Sequence, residues 1–292
     1  MVHLDAVKQH LHDISPNLYA HLHRLYGATP YAKHRNARIE REIAKKFRAR
    51  VEYESKIVRE YLNDDWTVRH GPFAGMKYAP IPSSSLLSPK VIGSYESPIH
   101  RWIIDAINRN YETILDIGCA EGYYAVGFAL KSEESKVYAY DTDGLARENA
   151  AALAHLNGIA DRVHIRDICT IDELNREVSN RTLIFCDIEG GEFDLLRPDL
   201  TPGLSRADLI VEAHEDRSQM NHVTEILVHR FLPSHRVEIT YHCAKSATEF
   251  SILGSIPTKE HALLLEEGRP RTQCWIRLLA NLPGAIEPVQ WW

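Results

Sequence analysis

The chain has 292 residues, 44% hydrophobic and 25% charged, with a formal net charge of −6. Such a composition suits one large globular domain or a domain with an extension. It leaves no overall basic footprint for nucleic acid, and no apolar run approaches the ~20 residues that span a bilayer. The first residues, MVHLDAVKQHLHDISP, lack the charged start, apolar centre and cleavage site of a signal peptide. The five cysteines, Cys119, Cys169, Cys186, Cys243 and Cys274, form no C-x-x-C pair, and no zinc-finger pattern is present. Buried free thiols in a reducing cytoplasm are the expectation.

Leu4, Val7, Leu11 and Ile14, then Leu18, Leu22 and Leu25, keep a helical period broken at Ser15-Pro16. From Lys33 to Leu62, Ile39, Ile43, Phe47, Val51, Ile57, Val58 and Tyr61 again recur near 3.6 residues. One or two amphipathic helices are expected there. Arg35, Arg38, Arg41, Lys45, Lys46, Arg48 and Arg50 give them a basic face. Glu40, Glu42, Glu52 and Glu54 balance it, so a solvated face is the simpler reading. The text from Trp66 to Pro82 turns to short β-like pieces punctuated by Gly71-Pro72 and Gly75, and Ser83 to Pro89 reads as loop. VIGSYE then leads into a helix from about Pro98 to Asn110. The resulting organisation is a helical extension (1–65), a linker or cap (66–100) and the main domain (101–292).

The chain is organised around Thr113–Tyr123, TILDIGCAEGY. An apolar strand carries Asp116, then Gly118, Ala120 and Gly122 form a small-residue turn, and Tyr124 to Leu130 reads as helix. Small residues let a ligand approach the backbone, and the free N–H groups of a helix start face it. The spacing D-x-G-x-A-x-G is not the G-x-G-x-x-G of a dinucleotide site. Strand and helix then alternate: strands at 136–140, 162–165, 183–186 and 209–211, helices at 144–157, 171–178, from Gly191, and at 222–231. That succession predicts a mostly parallel sheet covered by helices. Strands at 236–241 and 274–279, flanking a helix at 259–267, are expected to close the sheet.

Strand ends carry the chemistry. Asp116, Asp141, Asp167, Asp187, and Glu212 with His214, fall at five successive strand ends and would share one rim. Asp141 can accept both hydroxyls of a ribose, and Asp167 an adenine amino group, with Ile168 packing on the ring. Asp187 and Glu189, in Asp187-Ile-Glu-Gly-Gly-Glu192, can hold a metal, orient a hydroxyl or stabilise a cation. Asp187, Glu212 and His214 together suit a hard-cation site. Equally, His214 can act as general base on a substrate hydroxyl, with an acid orienting its ring, or be a structural histidine.

The turn resembles motif I of the class I S-adenosylmethionine-dependent methyltransferases, with alanine at the middle glycine position. More narrowly, LDIGCAEGYYAVGFA, VYAYDTD, FCDIEGGEFDLL and IVEAHE are similar to the FkbM-type methyltransferases of that class. GPFAGMKY, PKVIGSYE and EEGRPRTQCW extend the resemblance over residues 70–280. It implies an α/β fold, a Rossmann-like, mostly parallel seven-stranded sheet with helices on both faces. It also implies S-adenosylmethionine as methyl donor and a hydroxyl acceptor on a sugar or secondary metabolite. The donor-site candidates are Asp116, Gly118, Ala120, Gly122, Asp141, Asp167 and Asp187, the catalytic candidates His214 and Asp187. A divalent metal at Asp187, Glu212 and His214 is the further cofactor to test. Segments 66–89 and 244–257 are expected to build the acceptor pocket. A small-molecule or saccharide partner is expected, with neither nucleic acid nor membrane, and the N-terminal helices offer a surface for a homodimer. An NAD-dependent oxidoreductase and a non-catalytic scaffold acting through the helical arm are the rival readings.

Overall fold

The computed structural model describes residues 30–80, 86–214, 222–267 and 274–281. The helices expected within 3–26 lie outside them, as do residues 83–85 of the expected loop and part of EEGRPRTQCW. By internal contact the chain forms two units, Met1–Tyr53 and Glu54–Trp292. In the first, the charged segment forms one continuous helix, α1 (Pro30–Tyr61), whose last turns belong to the second unit. Those turns are tied there because Glu54, fully buried, accepts the N–H groups of Leu87 and Ser88 at 3.0 and 3.1 Å.

Among its described residues the second unit contains seven strands: β1 (Thr113–Ile117), β2 (Lys136–Tyr140), β3 (Val163–Arg166), β4 (Thr182–Cys186), β5 (Asp208–Ala213), β6 (His235–Tyr241) and β7 (Cys274–Ala280). They form one sheet in the order β3-β2-β1-β4-β5-β7-β6. β1 to β5 run parallel, while β7 is antiparallel to both β5 and β6. The expected fold is the observed one. β4 is buried at all five positions, as a central parallel strand covered on both faces must be. The edge strand β6 is exposed at Arg236, Ile239 and Tyr241, and His235 is its one buried position.

Helices cover the sheet: α4 (Tyr123–Lys131) packs on β1, β2 and β3, and α5 (Gly144–Leu156) on β3. Asp143 caps α5 by accepting the Leu145 N–H, and Thr170 with Glu173 forms a capping box on α6 (Ile171–Glu177). α7 (Glu192–Leu195) is a single turn after β4, and α8 (Val223–Phe231) packs on β6 and β7.

The segment before β1 departs from the expectation. Among the described residues of 66–82, one isolated bridge, Thr67 with Lys77, represents the expected β-like pieces. The end of the expected loop is a buried helix, α2 (Leu87–Ile92). Pro89 sits in its first turn, where its missing N–H costs no helical bond. α3 (His100–Asn108) follows. Phe73 reaches α4 and meets Tyr123, Tyr124 and Phe128 edge-on, with ring centroids 5.4–5.7 Å apart. An added methyl at Gly127 would lie 2.5 Å from the Phe73 ring, so this glycine is what lets the segment dock. α9 (Thr258–Leu265) packs on α2. The two segments expected to build an acceptor pocket, 66–89 and 244–257, meet where His70 lies edge-on to the Phe250 ring at 5.9 Å and accepts the Ile252 N–H at 3.4 Å.

Candidate active site

Strand order reverses between β1 and β4, so the crevice beyond their carboxyl ends is the ligand position such a sheet offers. A cavity of about 580 Å³ opens there. Its walls come from the turn after β1 (Ile117, Gly118, Ala120), the end of β2 (Tyr140–Thr142), the β3–α6 connection (Asp167–Ile171) and the β4–α7 region (Asp187–Leu195). Five carboxylates face it, Asp141, Asp167, Asp187, Glu189 and Asp194, and no lysine, arginine or histidine is among its described lining residues.

Two glycines make the turn possible. At Gly118, φ is +86°, and an added Cβ would lie 1.7 Å from the carbonyl oxygen of Asp187, so β1 and β4 close to this distance only over a hydrogen atom. At Gly122, φ is +90° and an added Cβ would meet Ala150 at 3.0 Å, which sets the approach of α4 to α5. Ala120 adopts φ +47°, the left-handed region, in spite of its methyl group. Its N–H is held by Asp141 at 2.8 Å, and the other oxygen of Asp141 accepts the Asp143 N–H at 2.8 Å. Asp141 thus braces the turn as well as lining the cavity.

The other donor-site candidates separate. Asp167 and Asp187 line the cavity with Gly118, Ala120 and Asp141, whereas Asp116 and Gly122 are not part of its wall. Asp116 is 1% exposed and sits behind the turn. Burial, opposed by the Ala125 N–H and reinforced by Asp141, Glu121 and Glu96, pushes its carboxyl up to about 8. It is therefore largely protonated at neutral pH. Asp194 also lines the cavity; it lies past the strand end, where periodicity gave no reason to single it out.

At the β4/β5 side, ligand atoms of Asp187, Glu212 and His214 lie within 4.8 Å of one another. His214 Nε2 is 3.6 Å from both Asp187 Oδ1 and Glu189 Oε2, and its Nδ1 is 2.8 Å from Glu192 Oε1. Burial would lower the imidazole pKa, but the hydrogen bond to Glu192 and the charges of Asp187, Glu192 and Glu212 outweigh it and raise it to about 9. Without a bound cation, His214 is therefore an imidazolium at neutral pH, and has no lone pair with which to take a proton. That bears against an unassisted general-base role. Two carboxylates and an imidazole form the donor set of a hard or borderline divalent cation, so these residues fit such an ion. Glu192, fully buried, is the acid that orients the ring; its signal in the sequence was the third carboxylate of D-I-E-G-G-E.

A parallel sheet reversing at this point, a D-x-G-x-A-x-G turn and acids at successive strand ends are the construction of the class I S-adenosylmethionine-dependent methyltransferases, and the chain is an enzyme of that class. A family model described as ribosomal protein L11 methyltransferase (PrmA) matches residues 101–230, less than half of the chain. Among solved structures, the O-methyltransferase TomG from Streptomyces achromogenes, involved in tomaymycin synthesis, is 13% identical. Its comparison covers 80% of this chain and 90% of that one, with a TM-score of 0.42. An O-methyltransferase from Bacillus cereus in complex with SAH is 14% identical, covering 61% of this chain and 78% of that one at a TM-score of 0.42. Cofactor-bound Rv0187 from MTB is 13% identical, covering 60% and 76% at a TM-score of 0.43. No curated protein matches the sequence. Among the described residues no helix is long and apolar enough to cross a membrane.

Proposed function

We propose that the enzyme transfers the methyl group of S-adenosylmethionine to a hydroxyl oxygen of a saccharide or other small molecule. The observation that carries the donor half is the charge of the cavity. Five carboxylates and no basic group suit a ligand with a sulfonium and an ammonium, and oppose the pyrophosphate of a dinucleotide. Asp141 is assigned to the ribose hydroxyls and Asp167 to the adenine amino group. Gly118 and Ala120 give the ligand access to backbone, and Asp187 faces the sulfonium end. Asp116 acts from behind the turn. Within the class, the D-I-E-G-G-E turn supports the FkbM-type reading.

Oxygen is favoured over nitrogen as acceptor by the cluster at the sulfonium end. A hydroxyl is a poor nucleophile until its proton is displaced, whereas a neutral amine already offers a lone pair. We assign Asp187, Glu212 and His214 as the residues that would hold a divalent cation. The chemistry it would supply there is Lewis acidity towards a hydroxyl, lowering the pKa of its proton. The protein's own part is to bind the donor, hold the acceptor oxygen in line with the methyl carbon, and keep water out.

Calorimetry with S-adenosylmethionine and its demethylated product tests the donor site. Both should bind the wild type, and Asp141→Asn should weaken binding at least tenfold. Absence of binding to folded protein would sink the methyltransferase reading. Binding without turnover across a broad panel of hydroxyl acceptors, with and without added Mn²⁺, would favour the scaffold instead.

A further inference from the structure

We infer that Glu192 is the positioning residue of the cation and acceptor site, an inference that rests on the metal reading proposed above. Glu192 has no exposed surface. A single oxygen, Oε1, gathers three donors from two different strand ends: His214 Nδ1 at 2.8 Å, the Ile188 N–H at 3.2 Å and the Gly190 N–H at 3.4 Å. The first comes from beyond β5, the other two from the turn after β4.

Geometry gives the joint a direction. Because Nδ1 is directed at Glu192, Nε2 is the nitrogen turned towards Asp187 and Glu189, 3.6 Å from each. The nitrogen available to a cation is thereby chosen by Glu192, the carboxylate–histidine–metal arrangement in which the outer carboxylate sets ring orientation. The same oxygen shapes the opposing wall. Its bonds to Ile188 and Gly190 bracket Glu189, which adopts φ +54°, a left-handed conformation unfavourable for a residue with a side chain. Gly190, at φ +108°, then lets the chain turn back to bring Glu192 beneath the site. Strain at Glu189 persists because both of its neighbours are anchored to one buried carboxylate. The Oε2 atom of Glu192 is buried without a hydrogen-bond partner among the described residues. A carboxylate in that setting is costly to keep for stability alone, and an organising role accounts for it.

The test is Mn²⁺ binding to the full chain, followed by electron paramagnetic resonance, including the nitrogen modulation that a coordinated imidazole imposes on the ion. Binding of the demethylated cofactor is measured in parallel as a check on the neighbouring cavity. In the wild type Mn²⁺ should bind and show the nitrogen signal. Glu192→Ala should weaken Mn²⁺ ten- to a hundredfold and diminish that signal, with cofactor binding changed less than threefold. Glu192→Gln, which keeps an acceptor oxygen in place, should recover most of the Mn²⁺ affinity. Equal Mn²⁺ affinity and an unchanged nitrogen signal in Glu192→Ala would overturn the inference. So would parallel loss of cofactor and Mn²⁺ binding in Glu192→Ala that Glu192→Gln restores together, since Glu192 would then only support the turn. Failure of the wild type to bind Mn²⁺ would instead overturn the metal reading itself.

Discussion

Of the two glycines in the cavity wall, Gly118 is the more closely approached. Its neighbour across the β1/β4 junction is a backbone carbonyl, which cannot swing aside as a side chain can. Gly118→Ala must therefore part the two strands, in addition to straining a φ of +86°. The expected cost is at least about 3 kcal/mol, at the upper end for single substitutions. A urea titration of the variant, with the demethylated cofactor as a second probe, should show a lower midpoint and lost binding together. His214 makes a different prediction. Its pKa of about 9 lies above the ordinary histidine value of 6.5, so the folded state holds the proton more firmly than the unfolded chain. The stabilisation is complete below about pH 6.5 and is lost as pH rises through 9. Since His214 is partly exposed, about 2 kcal/mol is a reasonable upper figure. With chelator present, the urea midpoint should fall between pH 6.5 and 9, and His214→Gln should remove the His214 part of that limb, leaving the part due to Asp116, whose carboxyl is pushed up to about 8. The same pH dependence in wild type and His214→Gln would show that the ring binds its proton alike in the folded and unfolded chain.

Between elements, the buried pair of Lys90 on α2 and Glu121 in the cofactor turn joins the segment before β1 to the site. Lys90 is 2% and Glu121 1% exposed. Tyr78 also donates to Glu121 at 2.7 Å, and the Lys90 ammonium lies 4.7 Å from the Tyr95 ring centre. Burial alone would raise the Glu121 pKa, but Lys90 and Tyr78 overcome it and hold it below the ordinary value. Lys90→Met would strand a buried carboxylate, with an expected cost of about 3–5 kcal/mol. Lys90→Met with Glu121→Gln should recover much of that, and a double-mutant cycle in urea measures the coupling. Additive losses would mean that the pair is not a unit. This joint also explains what the sequence disclosed and what it did not. β1, β4 and β5 were legible as buried apolar runs, and all five parallel strands as short runs ending at or near an acid. α5 was legible from its alanines and Gly158. Lys90 and Glu121 meet across thirty residues of chain with no periodicity to announce them. α2 was hidden by Pro89, which reads as a loop signal yet is harmless in a first turn. Likewise, strand phase placed Asp116 on the rim with the other acids, but its side chain is buried away from the cavity wall, bonded to the Ala125 N–H of α4. His214 and its carboxylates were visible as residue types; only the fold could say that Glu192, rather than its neighbours, holds Nδ1.

At the scale of the molecule, everything assigned a role in chemistry lies in one contact unit. The seven strands, the cavity, the Lys90–Glu121 joint and the Glu192 cluster all fall within Glu54–Trp292. The composition divides in the same place: residues 1–53 are net basic, although the whole chain carries −6. A polypeptide starting at Arg48 keeps a turn of α1 ahead of Glu54, so the bonds from Glu54 to Leu87 and Ser88 can still form. Such a fragment should unfold in one cooperative transition and bind the demethylated cofactor within threefold of the full chain. Glu54→Ala in that fragment should lower its melting temperature by several degrees, because two buried N–H groups lose their acceptor. Cofactor binding should persist below the transition, the altered contacts lying outside the cavity wall. A fragment that failed to fold, or folded without binding the cofactor, would show that the basic arm is needed to build the site, and the boundary at Tyr53 would then mark a change of contact density alone.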